Sequence, residues 1–398
     1  MNNITIVIPT YWCPSKGKDI FEEKIFDHPI PIDKKDTLSK TLDSLNILKD
    51  KNFILTIIVT STTHKIEDKA IDRVYDIAAP YKKKYNIKIL HYHNLANLKQ
   101  KLKNKNISNE ALSLLNLDNY ASIRNMCSLA CILNDTKINV FIDDDEIFTD
   151  ENFLTKTSKF IGKSINNQKI KAVAGYYIQK DGGYKFDENK VPEWKRKFWN
   201  NAKAMNDAFD KIIGKSPRIK ITPFVFGGNM VIDKDILIKY PFDPKITRGE
   251  DIDFLINLRT VKVNFFLDNQ LYIKHLPPSK KQPEWMSFRE DINRFLYERK
   301  KILDHSGTKG LSQEDFMPYP GIFLESDLED RIIGANKLLY EEYKKMGSKE
   351  GMKECEKNIE ICKNNDFKKI DTKSWLTGLI KGWQELTKAI SGKTIDDL

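Results

Sequence analysis

Val140-Phe141-Ile142-Asp143-Asp144-Asp145-Glu146 is the stretch on which the reading of this chain turns. Its apolar half, Ile138 to Ile142, is short and β-branched and follows the polar Asn134-Asp135-Thr136-Lys137, which predicts a buried strand. Carboxylates crowded at the carboxyl end of a strand repel one another unless a cation joins them. Hard oxygen ligands on neighbouring residues suit Mg²⁺ or Mn²⁺, which keep waters and share a substrate's phosphates. The crevice outside strand carboxyl ends is also where open α/β sheets bind ligands. The alternative is an acidic turn before the next helix, since Asp150 and Glu151 precede Phe153-Leu154.

Composition narrows the classes. With 398 residues, 40% of them hydrophobic and 31% charged, the chain can bury one large core or two domains. No apolar run approaches the roughly 20 residues that span a bilayer. Met1-Asn2-Asn3 leads directly into the strand-like Ile4 to Ile8, without a basic leader or cleavage site, so a cytoplasmic protein is expected. The formal charge of +10 favours anionic partners. Because the lysines are spread along the chain, a nucleotide or phosphate substrate accounts for it better than dedicated nucleic-acid binding. The five cysteines lack zinc spacing and read as packed thiols.

Outward from the aspartates, strand-like and helix-like segments alternate, the pattern of an α/β sheet. Strands are predicted at Ile4–Ile8, Phe53–Val59, Ile87–Ile89, Lys171–Tyr177 and Val263–Leu267. Apolar segments Ile221–Phe226 and Met230–Ile232 flank Gly227-Gly228-Asn229, and Tyr272 to His275 closes this part. Helices are predicted after Asp36-Thr37 and over Ala70–Tyr85, Tyr120–Leu133 and Asp251–Leu258. Pro277-Pro278 marks a boundary, giving an α/β domain over 1–278 and a helical extension over 279–398. In the extension, Trp375, Leu379, Trp383 and Leu386 share one helix side. That stripe packs on the body by preference; a second subunit or peripheral membrane contact are the alternatives.

Taken in order, these motifs resemble the GT-A glycosyltransferases, particularly family 2. The resemblance is carried by Val7-Ile8-Pro9-Thr10-Tyr11, Leu42-Asp43-Ser44-Leu45, Arg124-Asn125, Asp143-Asp144-Asp145, Gly227-Gly228-Asn229, and Gly249-Glu250-Asp251 with Arg259. It covers about residues 4 to 276 and implies a Rossmann-like mixed sheet flanked by helices. Residues 1–150 would form the nucleotide-sugar half and 151–278 the acceptor half.

The resemblance implies transfer of a sugar from a nucleoside diphosphate donor (UDP or GDP) to an unidentified acceptor hydroxyl, with Mn²⁺ or Mg²⁺. Pro9, Thr10, Tyr11 and Thr60 fall on the nucleoside side, and Asp143, Asp144 and Arg124 on the donor. Asp145 falls on the metal, with His275 as a further ligand. Where many family members carry acidic base-reading residues after the second strand, this chain has Val59-Thr60-Ser61-Thr62. Asp251 would be the general base of an inverting reaction, supported by Glu250; its alternative is a helix N-terminal acid. Gly228 and Asn229 fall on the acceptor side. Trp194, in the aromatic 185–216 segment, could stack on a sugar or form part of an aromatic core. A sugar nucleotidyltransferase and a catalytically silent nucleotide-sugar-binding protein are the competing readings; the first lacks its Gly-rich loop after the opening strand.

Overall fold

The structure, a computed structural model, describes residues 3–15, 24–278 and 282–398. Part of the long connection after the first strand, residues 16–23, lies outside the described residues. One mixed sheet organises the chain. Its main strands are β1 (Ile4–Cys13), β2 (Ile54–Ser61), β3 (Asn86–Leu90), β4 (Ile138–Phe141), β5 (Ala172–Ile178), β6 (Ile219–Ile221), β7 (Met230–Asp233) and β8 (Phe265–His275), with two-residue strands at Ile30–Pro31 and Glu146–Ile147 pairing at β1 and β8. They run in the order β6-β8-β5-β7-β4-β1-β2-β3. β4, β1, β2 and β3 are parallel, as are β5 and β8; β7 runs antiparallel between β4 and β5, and β6 antiparallel to β8.

Strand alternation builds two cores, one on each face. Ile6 and Ile8 of β1 join Leu38, Leu42 and Leu45 on one face, while Val7 joins the helix Tyr120–Leu133 on the other. Helices flank both faces, so the central strands are buried on both sides and mostly apolar, with Thr5, Thr56 and Asn139 as buried polar exceptions. All five cysteines are buried.

Several boundaries differ from the sequence reading. The helix predicted over Ala70–Tyr85 is Glu67–Ala78, ending just before Pro80, which cannot donate a helical hydrogen bond. Of the apolar segment Ile221–Phe226 only Ile221 lies in a strand, as the last residue of β6; Thr222 turns the chain, its hydroxyl donating to the Phe224 carbonyl at 2.6 Å. The predicted strand Val263–Leu267, from Phe265 onward, and Tyr272–His275 belong to one long strand, β8. The charged Asp268 between them is fully buried there because Arg218 clamps it through two bonds of 2.7 and 2.8 Å. A register shift between Leu267 and Tyr272 absorbs the irregularity.

The C-terminal part is helical: Glu284–Asp304, Leu328–Lys345, Lys349–Asn364 and Thr372–Ala389. Its apolar side packs on the body, as the stripe suggests. Trp383 is fully buried and donates through Nε1 to the Leu237 carbonyl at 2.7 Å, and Trp375 Nε1 reaches Asp243 at 3.0 Å. Among the described residues, no helix is long and apolar enough to cross a membrane.

A buried ion cluster fastens the extension to the helix Glu250–Thr260. Lys301, 1% exposed, lies 2.7 Å from Asp243 and 2.6 Å from Asp253, with Asn257 at 3.0 Å and the Tyr297 hydroxyl on Asp243 at 2.9 Å. Removing the cation strands two buried carboxylates. Lys301→Met is therefore expected to lower unfolding free energy by about 3–5 kcal/mol, measured by urea denaturation; a loss under about 1 kcal/mol would contradict this account of the junction.

Candidate active site

The cleft forms where the carboxyl ends of β1, β4 and β8 meet the first turns of two helices. β4 ends at Phe141, and the chain then reverses, the Glu146 amide donating to the Asp143 carbonyl at 3.2 Å. This turn presents the three aspartates differently. Asp144 points inward: Thr10 donates to its carboxylate at 2.7 Å and Thr41 to its carbonyl at 2.8 Å. Burial, followed by the charge of Asp145, pushes the Asp144 carboxyl well above the usual range. Asp143 and Asp145 face the cleft.

After the turn, Glu146-Ile147 pairs antiparallel with the end of β8, setting His275 opposite Glu146. That pairing brings His275 Nε2 to 3.5 Å from Asp145. The imidazole lies over the Tyr177 ring, with centroids 4.6 Å apart, and Tyr177 in turn lies 4.4 Å from Phe226.

Arg124 is the hinge of the cleft. It sits in the first turns of the helix Tyr120–Leu133, which Asn119 caps by accepting from the Ser122 amide at 2.9 Å. Only 3% exposed, its guanidinium meets Asp143 at 2.8 Å and Glu250 at 3.0 Å. Glu250 and Asp251 open the helix Glu250–Thr260 after Gly249, whose φ of 77° favours glycine. The Asp251 carboxylate accepts from the amides of Gly227 at 3.0 Å and Ile252 at 2.8 Å. Burial, and next the neighbouring Glu250, raise its pKa to about 6, against the pull of Arg294.

The cleft encloses about 430 Å³ and gathers seven carboxyl residues (Asp27, Asp143, Asp144, Asp145, Glu250, Asp251, Asp291) against three arginines (Arg124, Arg248, Arg294). Among the described residues, no group of three His, Cys, Asp or Glu side chains converges closely enough to hold a metal ion. The donor set still fits a divalent cation. Asp145 and His275 stand side by side in an acidic cleft, and Mg²⁺-type ions take one or two protein carboxylates plus substrate phosphates and water.

The structure also fixes the remaining residues singled out in the sequence. Tyr11 lines the cleft, its ring 5.4 Å from Tyr120, while Pro9 and Thr10 are buried beneath it. Thr60 lies outside the cleft, bonded to the Leu117 carbonyl at 3.4 Å. Gly228 and Asn229 lie behind the cleft wall. The Gly228 amide donates to the Tyr177 hydroxyl at 3.0 Å, and the fully buried Asn229 donates to the Tyr176 carbonyl at 3.1 Å. Trp194 is buried outside the cleft, its ring 5.5 Å from Phe288, within the aromatic packing beneath the extension.

Several cleft residues had no signal in the sequence. The extension supplies Asp291, Arg294 and Tyr319. Arg294 Nη2 donates to the Tyr319 hydroxyl at 3.0 Å and Nε to Glu298 at 3.1 Å. Arg248, beside the Gly-Glu-Asp triplet, meets Asp27 at 2.9 Å and Asp291 at 3.2 Å. The arginine beside the triplet is visible in the sequence; its partners, 221 and 43 residues away, are not.

No protein-family model and no curated protein sequence matches the chain. Solved structures do resemble it. One is a mannosyltransferase from Pyrobaculum calidifontis in complex with GDP-Man and Mn²⁺, at 11% identity and TM-score 0.48, covering 98% of this chain and 88% of that one. Another is mouse xyloside xylosyltransferase 1, at 13% identity and TM-score 0.29, covering 64% and 75%. A mycobacterial protein matches at 14% identity and TM-score 0.39, covering 74% of each chain. These TM-scores lie below 0.5, so the functional reading rests on the cleft itself.

The glycine turn gives a direct test of this geometry. A Cβ on Gly228 would stand 1.9 Å from Glu146 Oε1, in a carboxylate that is fully buried and accepts from the Asp143 amide at 2.9 Å. Gly228→Ala is expected to destabilise the protein by about 1–3 kcal/mol, and Glu146→Ala to relieve part of that loss in the double variant. Strict additivity in thermal denaturation would show that the two residues are not in contact.

Proposed function

We propose that the chain is a metal-dependent glycosyltransferase moving a sugar from a nucleoside diphosphate donor to an acceptor hydroxyl, with Asp251 as general base. One observation carries the reading: a single buried guanidinium, Arg124, joins Asp143 of the acidic turn to Glu250 beside Asp251. An acidic turn suited to a metal-bound diphosphate and a carboxylate suited to proton abstraction therefore share one cleft.

On this reading Asp143 and Arg124 orient the donor, and Tyr11 offers a ring at the nucleoside side. A bound Mn²⁺ or Mg²⁺, held by Asp145 and His275, would neutralise the charge developing on the departing diphosphate. Asp251 accepts the acceptor's hydroxyl proton as that oxygen bonds to the anomeric carbon and the carbon–oxygen bond to the diphosphate breaks. Attack from the face opposite the leaving group inverts the configuration. The Gly227 and Ile252 amides hold the carboxylate in place. Glu250 raises its proton affinity, which makes it a better base than an exposed aspartate.

Two measurements test this. Asp145→Asn should abolish Mn²⁺-dependent stabilisation by nucleoside diphosphate sugars; a donor at 100 times its dissociation constant adds about 2.7 kcal/mol in the parent protein, readily seen by thermal shift. Stabilisation undiminished in the variant would remove the metal assignment. Only the ionised Asp251 can take a proton, so kcat/KM should decline about tenfold per pH unit below about 6. Asp251→Asn should lower kcat by about 10²–10⁴-fold. A pH profile flat through that region, or an active Asp251→Asn protein, would rule out its role as base.

A further inference from the structure

A second cavity of about 690 Å³ adjoins the cleft and shares Phe186, Asn201 and Ala202 with it. A wall of packed rings lines the cleft from the proposed base to that junction. Asp251 accepts from the Gly227 amide; the preceding Phe226 ring lies 5.4 Å from Phe209, and Phe209 lies 6.0 Å from Phe186. Either cavity alone is large enough for a small-molecule ligand. Glycosyl transfer needs two substrates, and the acidic cleft already provides for the donor.

We infer that this second cavity binds the acceptor, and that the acceptor is a chain of several sugar units; the inference rests on the glycosyl-transfer reading above. The chemistry of the walls selects the class. Three of the cavity's lysines already have carboxylate partners: Lys195 with Glu284 at 2.7 Å, Lys185 with Asp210 at 2.7 Å, and Lys190 with Asp187 at 3.4 Å. Such walls hold little unbalanced charge to attract an anion, and they line up donors beside acceptors. A hydroxyl both donates and accepts, so a polyol can engage each pair at two points. Phe186 gives an apolar ring at the junction, where the face of a sugar can rest. Lys180, Lys185 and Lys190 are exposed, so the outer part of the cavity opens to solvent and a chain can continue beyond it.

The test is binding of end-labelled mono- to hexasaccharides of glucose, mannose and N-acetylglucosamine, with Mn²⁺ and GDP or UDP present. Dissociation constants for at least one series should fall by about tenfold or more from monosaccharide to tetrasaccharide. Ala202→Trp, which fills the junction, and the double variant Lys180→Ala/Lys190→Ala on the outer wall should each flatten that gain, while keeping the parent's unfolding midpoint. The pair covers the case in which one variant does not fold. Affinity independent of length, no chain bound at all, or folded variants that retain the gain would overturn the inference. Nucleoside diphosphate binding, read in the same samples, tests the donor separately: its absence in the parent protein would defeat the glycosyl-transfer reading whatever the saccharides show.

Discussion

A guanidinium removed from water must be met by carboxylates, and at Arg124 that requirement determines the arrangement of the cleft. The residue comes from one helix, Asp143 from the turn after β4, and Glu250 from a helix more than a hundred residues further on. Glu250 takes the Nε side of the planar fork and Asp143 takes Nη2, so neither carboxylate does the work of the other. Together they hold three segments in fixed relation, and Asp251 and Asp145 follow because each is bound in sequence to one of them. The same group explains Gly227, where a Cβ would stand 2.6 Å from Arg124 Nη2. A larger residue there would push apart the two carboxylates that the arginine joins.

The helical extension belongs to the cleft as well as to the core. Its buried lysine anchors the helix that carries Glu250 and Asp251, and its Arg294 lies directly under Gly249, where a Cβ would meet the side chain at 2.5 Å. The position of the proposed base is therefore set from two sides, by Arg124 within the α/β part and by Arg294 and Lys301 from the extension. Both the left-handed backbone of Gly249 and its lack of a side chain are needed for that approach.

Backbone pairing does for His275 what ion pairing does for Asp251. The two residues after the acidic turn, Glu146 and Ile147, add to the end of β8, and the histidine arrives beside Asp145 through strand register. Tyr177, on neighbouring β5, supports the imidazole from behind and accepts from the Gly228 amide, so the glycine turn, the acidic turn and the histidine pack as one unit.

The sequence by itself determined the class of fold and the acidic turn, because both depend on local physics. The short, β-branched run Ile138–Ile142 reads as a buried strand, three consecutive carboxylates at its end call for a cation or a helix terminus, and the Trp375–Leu386 stripe needs an apolar surface to cover it. β8 was visible as two fragments, since a charged Asp268 argues against a buried strand until Arg218 is seen to neutralise it. Tertiary structure alone decided which polar residues meet. Thr60 and Trp194 carry suitable chemistry but are directed away from the cleft, whereas Asp291, Arg294 and Tyr319 reach it from the extension. Such partners are selected by the three-dimensional balance of buried charge, which acts between residues far apart in the chain and leaves no periodicity along it.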